Sequence, residues 1–291
     1  MSWGVVAVAL LTSLSTAASL FMVAAGLTLI FGAMRVINLA HGSLYMYGAF
    51  IAATIVGSAT GDTFWYALAL APLAVVVLGT LLEVGLMRRV YRADHLVQLL
   101  ATYGVLLILG DLALQFWGAS PLSVSSPRVL SGSLAFQHFT FPAYELFLTG
   151  TGVLVGLALW FLLARTSLGW KVRASVEDAE LLAVRGTNVK LLYTVVFAIG
   201  AFLAGLGGAL ITPLQGVDTG LGSSIIVAAF VVAVIGGLGS IAGAALGAGI
   251  IAVFQMAGAL WLPAWEPTSL YVAMIVVLAI KPWGLLGVRD R

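Results

Sequence analysis

Three polar side chains of different chemistry lie within seven positions of an otherwise apolar stretch. Arg35, Asn38 and His41 belong to "GAMRVINLAHGSLYMYG", which also holds Tyr45. The guanidinium is a permanent positive charge, and the amide and the imidazole can each donate and accept hydrogen bonds. Such groups can bind a polar molecule, but the sequence offers no catalytic set: it has no H-E-x-x-H, no G-x-S-x-G and no pair of aspartates within an apolar run. We therefore expect no enzyme.

The rest of the chain has the composition of a membrane protein. Of its 291 residues, 62% are hydrophobic and 8% are charged, and the mean hydropathy is +1.14. A soluble domain has about a quarter charged residues. The chain has no cysteine, which excludes disulfides and thiolate metal sites. We expect no bound metal and no nucleic acid partner.

Nine apolar runs predict an all-α integral membrane protein, a polytopic helical bundle of about eight or nine transmembrane helices. The first run, residues 3–34, would be about 48 Å long as one helix, against about 30 Å of hydrocarbon, so it protrudes, tilts or breaks. We favour nine crossings. The other runs lie at 42–60, 64–87, 96–117, 143–164, 193–213, 222–238, 240–260 and 268–287.

The lysines and arginines predict which connections are cytoplasmic, because short loops on that side are enriched in them. They concentrate in the connection after residue 87, in the segment 165–192 and at the C-terminus. The opposite side would then hold the 60–63 turn with Asp62, and nine crossings put the N-terminus there too. The assignment depends on Arg88, Arg89, Arg92, Arg165, Lys171, Arg173, Arg185, Lys190, Lys281, Arg289 and Arg291.

A glycine-rich segment near the C-terminus, "GGLGSIAGAALGAGI", permits two interpretations. Gly239, Gly243 and Gly247 follow one another at four-residue spacing, which predicts one helix face that packs closely on a neighbour. Alternatively, "IGGLGS" interrupts the helix and opens backbone groups to a cavity, which a membrane tolerates only where protein or water surrounds the break.

The largest polar segment on the cytoplasmic side is residues 165–192. Residues 174–185 within it are typical of a short amphipathic helix that stops at Gly186 and lies across the membrane face. Such a helix is either an ordinary solvated connector or a docking helix for a cytoplasmic motor.

Motifs along nearly the whole chain resemble bacterial branched-chain amino acid ABC permeases of the LivH/LivM type. "ASVEDAELLAVRGTNV" is similar to the segment through which these permeases contact their ATPases. "GLTLIFGAMRVINLAHGSLYMYGA" resembles the N-terminal signature of LivH-like subunits. Their third connection, late glycine-rich helix pair and C-terminal end are matched by "VYRADHLVQLLATYGVLLILGDLAL", "VIGGLGSIAGAALGAGI" and "KPWGLLG".

The resemblance implies an ABC importer permease fold with broken or re-entrant helices, in a single transmembrane domain over residues 1–291 of the bacterial cytoplasmic membrane. Its partners would be a second homologous, LivM-like permease, two ATP-binding subunits and a periplasmic or surface-anchored solute-binding protein. The chain has no G-x-x-x-x-G-K-[ST] loop, so we expect it to bind no cofactor and its partners to use the ATP. Within the coupling loop, 165–192, the matched residues are Glu177, Asp178, Gly186 and Asn188.

Two departures from the family pattern concern Thr187, where an isoleucine is common, and Gly110-Asp111, where relatives carry an uncharged pair. Asp111 falls deep in an apolar run, where a carboxylate costs about 2.5 to 3.5 kcal/mol and usually faces a cavity or a partner. It either lies near the outer surface, hydrated or capping a helix end, or contacts the translocation path.

The opening stretch also has two interpretations. A helix that ends near Arg35 and another that begins around Ser43 would avoid burying the polar cluster in lipid. Either Arg35 marks the cytoplasmic interface, with Asn38 and His41 capping and bracing helix ends, or the break lies inside the bundle and lines the solute path. The path candidates are Arg35, Asn38, His41, Tyr45 and Asp111.

The resemblance therefore implies a permease subunit of a binding-protein-dependent ABC importer for branched-chain amino acids. The same family also serves urea, short amides and other small acids. An ion-coupled secondary transporter or channel is the competing class, but such coupling needs intramembrane carboxylates, and Asp111 alone gives it little support.

Overall fold

A computed structural model describes residues 3–57, 63–91, 93–136 and 139–287. Most of them are helical, as expected where the hydrocarbon leaves backbone groups no partner but each other. The elements are α1 (Trp3–Met34), α2 (His41–Val56), α3 (Phe64–Leu82), a π-helical turn (Glu83–Met87), α4 (Arg88–Val90), α5 (His95–Trp117), β1 (Ser133–Phe136), β2 (Phe139–Pro142), α6 (Ala143–Arg165), α7 (Ser167–Glu177), α8 (Ala179–Val184), α9 (Val189–Ile211), α10 (Leu221–Gly236), α11 (Ile241–Trp261) and α12 (Glu266–Ile280).

Each of the nine predicted apolar runs contains a helix, which confirms the polytopic helical bundle. Within the described residues, 6 helices are long and apolar enough to cross a membrane. The helix α2 has 16 residues and α10 also has 16, so each is about 24 Å long and shorter than the hydrocarbon. The number of crossings stays a prediction. The long spans are Val6–Met34, Phe64–Val90, His95–Trp117, Ala143–Arg165, Val189–Ile211 and Ile241–Trp261.

The centre of the bundle is α2, which α1, α3, α9 and α10 surround. Every residue from His41 to Phe50 is buried. Glycines permit this close packing: a Cβ on Gly48 would lie 2.5 Å from the carbonyl oxygen of Gly205, and a Cβ on Gly208 would collide with the Tyr45 carbonyl. Helices in lipid associate through such close backbone contacts.

The long connection between α5 and α6 is partly ordered into strands that the sequence did not predict. In the hairpin, Ser133 pairs with Pro142 and Phe136 with Phe139. Leu122 forms an isolated antiparallel bridge with Val217, with N–O distances of 2.9 and 2.8 Å. This bridge ties the end of α5 to the segment before α10.

Several residues on which the predicted membrane orientation depends lie outside the described part of the chain. They are Asp62 of the predicted outer turn and Arg92, Arg289 and Arg291 of the predicted cytoplasmic segments.

Candidate functional site

The predicted break between the first two helices is present. Helix α1 ends at Met34, and Arg35 follows with a φ of 53°, the only positive φ of a non-glycine residue in the described part of the chain. A left-handed conformation ends a helix, because the next residues leave its axis. Helix α2 begins at His41, two residues before the expected start.

Asn38 lies inside this break and is 1% exposed. Neither its Oδ1 nor its Nδ2 has a hydrogen-bond partner among the residues that the structure describes, and Ala40, at the N-cap of α2, makes no side-chain cap. Asn38 therefore does not cap a helix end, which was one of the two interpretations. Each unpaired buried polar group costs about 1 to 3 kcal/mol, so two on one side chain require an explanation.

His41, the first residue of α2, is fully buried between α1 and α9. Its Nε2 lies 3.2 Å from the carbonyl oxygen of Val23. Because a carbonyl only accepts, Nε2 carries the proton in this contact, and the neutral ring then presents Nδ1 as an acceptor. That Nδ1 has no partner among the described residues. His41 thus braces α2 against α1 and also offers one free acceptor.

Tyr45 lies one turn further along α2, on the same face as His41. Its ring packs against Gly207 of α9, where an added Cβ would lie 3.1 Å from Cε2. The hydroxyl faces Ser19 of α1 but makes no hydrogen bond of standard geometry with a described residue. We call Asn38, His41 and Tyr45, together with their α1 and α9 surroundings, the polar seam.

A cavity of about 920 Å³ opens at the end of the bundle where α1 stops. Thr28 of α1 also lines it, and its buried Oγ1 is another polar atom without a partner. Arg35 is exposed at this cavity, so it lies at the surface while Asn38 and His41 are buried. The other charged or polar lining residues include His95, Arg173, Glu177 and Ser240.

The late glycine-rich segment is interrupted, as one of its two interpretations predicted. Helix α10 ends at Gly236 and α11 begins at Ile241, and Gly237 and Gly239 between them have φ angles of 100° and 90°. Gly239 therefore does not share a helix face with Gly243 and Gly247. Instead it lies against Gly32, whose added Cβ would be 3.1 Å from the Gly239 Cα, and it lines the cavity.

The packing interpretation is correct for the other two glycines of that segment. A Cβ on Gly247 would lie 2.5 Å from the Val232 carbonyl oxygen, and Gly243 approaches the Gly236 backbone closely. Ser240 caps α11 by accepting the Gly243 N–H at 3.0 Å. The helix break and the close glycine packing thus coexist. The glycines before Ser240 bend the chain, and those after it pack against the neighbouring helix.

Asp111 lies on the face of α5 that is turned away from the bundle. It is exposed and has no ion pair or hydrogen bond with a described residue. Helix α5 continues for six residues to Trp117, about 9 Å, so Asp111 does not cap a helix end. The structure does not bring Asp111 to the polar seam.

The segment 165–192 contains two helices where one was predicted over 174–185. Helix α7 ends at Glu177, and Asp178 caps α8 by accepting the Leu181 N–H at 2.9 Å. An aspartate favours the non-helical N-cap over the helix interior, so it divides the segment. Gly186 has a φ of 84°, and Asn188 caps α9 by accepting the Leu191 N–H at 3.0 Å.

These two helices pack directly on the bundle. Val172 of α7 and Leu182 of α8 share an apolar cluster with Leu29 and Ala33 of α1 and with α9. The Ser175 hydroxyl donates to the Val172 carbonyl oxygen at 2.8 Å and lies 3.4 Å from the Ala33 carbonyl oxygen of α1. The segment therefore contacts the end of α1 just before the break.

Sequence reasoning missed Thr28 and a buried cluster around Glu83. A lone carboxylate in the apolar run 64–87, five residues before Arg88, was a signal for the cluster. Thr28 gave no signal, because one threonine in a long apolar helix is ordinary. Within the described residues no group of three or more His, Asp or Glu side chains is placed to hold a metal ion.

The apolar bundle, two interrupted helices and a buried polar seam define an integral membrane transport protein. A family profile described as "Branched-chain amino acid transport system / permease component" matches residues 9–280. Since that range covers most of the chain, this protein belongs to that family of permeases.

Individual relatives agree with this assignment. The chain is 28% identical to the Pseudomonas aeruginosa high-affinity branched-chain amino acid transport system permease protein BraD, over 96% of this chain and 94% of the relative. It is 26% identical to Escherichia coli LivH, over 91% and 90%. A fructose import permease protein, FrcC of Rhizobium meliloti, is 30% identical over 45% of this chain and 39% of its own length. No solved structure matches.

Proposed function

We propose that this chain and a second, homologous permease form the translocation path of an ABC importer that brings branched-chain amino acids into a bacterium. Two separate cytoplasmic subunits hydrolyse the ATP, and a solute-binding protein delivers the amino acid from outside. The chain lies in the cytoplasmic membrane with its C-terminus inside. Family membership and the relatives' names support the class of transporter and its solute.

The polar seam is the observation that carries the path assignment. Asn38, His41 and Tyr45 are fully or almost fully buried, yet four of their polar atoms make no hydrogen bond of standard geometry within the described part of the chain. Helix packing alone favours apolar side chains at such positions, whereas a solute needs donors and acceptors as it passes. The seam offers both without a buried charge, which suits transient binding of a small zwitterion.

The cavity supports the assignment of the cytoplasmic end of the route, and Asn38, His41 and Tyr45 do not line it. It begins where the break exposes Arg35, and it is bordered by Thr28 and by the α10–α11 break. Irregular backbone at membrane depth is stable where it lines a water-filled cavity. Arg35 stands at its mouth, where its positive charge attracts the solute carboxylate.

The placement of Asp111 supports an orientation for the second permease. An unpaired carboxylate facing lipid costs about 2.5 to 3.5 kcal/mol, so the exposed face of α5 is better placed against a partner or a water-filled path. We assign that face to the side of the second permease. Asp111 then contacts the solute ammonium or a donor of the partner.

Coupling to ATP hydrolysis is assigned to α7, α8 and the turn at Gly186. Asp178 and Asn188 act by capping the helices on both sides of that turn, and Glu177 lies at the cavity. A segment that packs on both α1 and α9 can pass a rigid-body movement of the ATPases to the polar seam.

The test is uptake of radiolabelled leucine into proteoliposomes that hold the complete importer, with ATP inside and the loaded binding protein outside. Asn38→Leu and His41→Leu should abolish uptake while the complex still assembles. The control variant Gln255→Leu, at a half-buried position of α11, should retain uptake. Normal uptake by both seam variants would refute the path assignment. Uptake driven by an ion gradient, with ATP and the partner subunits absent, would refute the importer class.

The solute is tested separately by titrating the cognate binding protein with leucine, isoleucine, valine, urea and short amides. Binding of the branched-chain amino acids is expected. Binding of an amide or urea in their place would keep the permease assignment and change the solute.

A further inference from the structure

A cluster of polar side chains around one buried carboxylate joins the cytoplasmic end of α3 to the first turns of α9. Glu83 is fully buried at its centre. Its Oε1 accepts hydrogen bonds from Arg88 Nε at 3.0 Å and from the Tyr91 hydroxyl at 2.9 Å. Its Oε2 accepts from the Thr194 hydroxyl at 2.8 Å. Arg88, Tyr91 and Thr194 each donate to this one carboxylate, so we call the four residues the Glu83 cluster.

The Thr194 hydroxyl is the link between the two helices. Arg88 Nη2 donates to it at 2.6 Å, so its oxygen accepts on one side and donates on the other. The Lys190 carbonyl lies within reach at 2.9 Å, but a carboxylate is the stronger acceptor for the single proton. Thr194 is the one member of the cluster on α9, and the other three belong to the end of α3 and the residues after it.

The π-helical turn Glu83–Met87 explains how Glu83 and Arg88 meet. In an α-helix, residues five positions apart differ by about 140° around the axis and do not share a face. A π-helical turn bonds residue i to i+5, which brings that pair together. Such turns are rare and frequent at functional sites, so the backbone here departs from the α-helix in the way that this ion pair requires.

Tyr91 keeps its proton in this environment. Burial raises the pKa of its hydroxyl, and the hydrogen bond to Glu83 and the negative charge of that carboxylate raise it further. The hydroxyl therefore remains a donor to Glu83 at physiological pH.

The cluster lies between the coupling segment and the polar seam. Thr194 follows Asn188, the cap that begins α9, by less than two turns. Further along, Gly205 of α9 contacts Pro72 and Val75 of α3 on one side and Gly48 of α2 on the other. Helices α3 and α9 thus enclose α2, and the Glu83 cluster fastens them together at the end where a movement of the coupling segment enters.

We propose that the Glu83 cluster makes α3 move together with α9 when the ATPases displace the coupling segment, so that both walls of the α2 site shift as one unit. Glu83 and Thr194 are positioning residues: they touch no solute and act through α3 and α9. This inference rests on the proposed function, because it assigns the link between ATP hydrolysis and the polar seam.

The competing explanation is that the Glu83 cluster only stabilises the fold. The two differ in the ratio of solute transported to ATP hydrolysed. If the cluster only stabilises the fold, a substitution changes the amount of folded complex and leaves that ratio unchanged. If the cluster couples α3 to α9, a substitution changes the ratio in the complexes that do assemble.

The experiment uses the complete importer in proteoliposomes and measures ATP hydrolysis and leucine uptake on the same vesicles. Thr194→Val removes the hydroxyl at nearly constant volume and Thr194→Ser keeps it. Glu83→Gln removes the charge and replaces one acceptor oxygen by a donor. Thr151→Val is the control, because the Thr151 hydroxyl bonds only its own helix at Phe147. Quantified complex in the vesicles corrects for assembly.

We expect Thr194→Val to retain ATP hydrolysis stimulated by the loaded binding protein while uptake per ATP falls about tenfold. Thr194→Ser and Thr151→Val should keep the ratio of the unmodified chain. If Glu83→Gln fails to assemble, the two threonine variants still decide the question.

An unchanged ratio of uptake to ATP hydrolysis in Thr194→Val, whatever the yield of complex, would overturn the inference. The cluster would then only stabilise the fold. Failure of the unmodified importer to take up any solute with ATP would instead refute the proposed function. The two failures are therefore distinguishable in one set of vesicles.

Discussion

The polar seam and the Glu83 cluster both bury polar side chains in an apolar bundle, but they satisfy them differently. In the cluster each Glu83 oxygen accepts a hydrogen bond from a neighbouring helix or turn. In the seam both polar atoms of Asn38, the His41 Nδ1 and the Tyr45 hydroxyl make no hydrogen bond of standard geometry with a described residue. Buried groups that are fully paired fix helices relative to each other. Buried groups that are unpaired leave their donors and acceptors for a passing solute.

The comparison predicts opposite responses to losing a polar group. Removing a partner from the cluster leaves the others unpaired, so stability falls. Replacing Asn38 by an apolar residue removes only unpaired groups, so stability holds while function is lost. The following substitutions test this difference, from the largest expected effect on stability to the smallest.

Glu83→Ala should destabilise the chain most. It leaves Tyr91 and Thr194 without their acceptor and the partly exposed Arg88 without its ion-pair partner. A hydrogen bond to a charged group contributes about 1.5 to 3 kcal/mol, so we expect a loss of about 3 kcal/mol. Denaturant unfolding of the purified chain in detergent measures the change. Glu145→Ala is the matched control, since Glu145 accepts only one hydrogen bond from another helix, from Ser15 at 3.0 Å, and should lose less than about 1 kcal/mol. Equal losses of unfolding free energy in Glu83→Ala and Glu145→Ala would show that the Glu83 cluster stabilises the chain no more than a single hydrogen bond between helices.

Gly48→Val tests the close packing that holds the seam in place. The added Cβ would lie 2.5 Å from the Gly205 carbonyl oxygen, so α2 must move away from α9. We expect a loss of about 1 to 3 kcal/mol, which is typical of overpacking, together with loss of uptake. Gly249→Val on α11 is the control, because a Cβ there meets nothing within 4 Å. A similar loss in both variants would indicate an effect of helix propensity alone.

Asn188→Ala removes the cap of α9 and should cost about 1 kcal/mol. Asn188→Asp keeps an acceptor for the Leu191 N–H and adds a favourable negative charge at the helix N-terminus, so its stability should be unchanged. The same denaturant titration measures both. A loss in the aspartate variant equal to that in the alanine variant would show that the cap is not what stabilises this end of α9.

The sequence predicted the elements of the bundle well, because long apolar runs in a membrane have few alternatives to helices. It also located the break before α2 to within two residues, since Arg35, Asn38 and His41 are costly within a lipid-exposed helix. Family resemblance added the coupling segment. Its division at Asp178 was missed, although aspartate is a common N-cap.

The pairing inside the bundle was beyond sequence reasoning. Glu83 and Thr194 are 111 positions apart, and only the packing of α3 on α9 brings them together. The unpaired state of Asn38 was equally hidden, because a sequence reveals an amide but not whether a backbone group lies beside it. The structure shows that Asn38 and His41 are buried within the bundle and that Arg35 is exposed, whereas a role of the break in the solute path stays a proposal.

The most direct test of the account measures unfolding and uptake together for Asn38→Leu and His41→Leu. We predict that the free energy of unfolding in detergent stays within about 1 kcal/mol of the unmodified chain, or rises, for Asn38→Leu, because no hydrogen bond is lost. ATP-driven leucine uptake by the assembled importer should disappear in both variants. Loss of stability in Asn38→Leu as large as that in Glu83→Ala, or normal uptake in both seam variants, would contradict the claim that the seam is reserved for a solute.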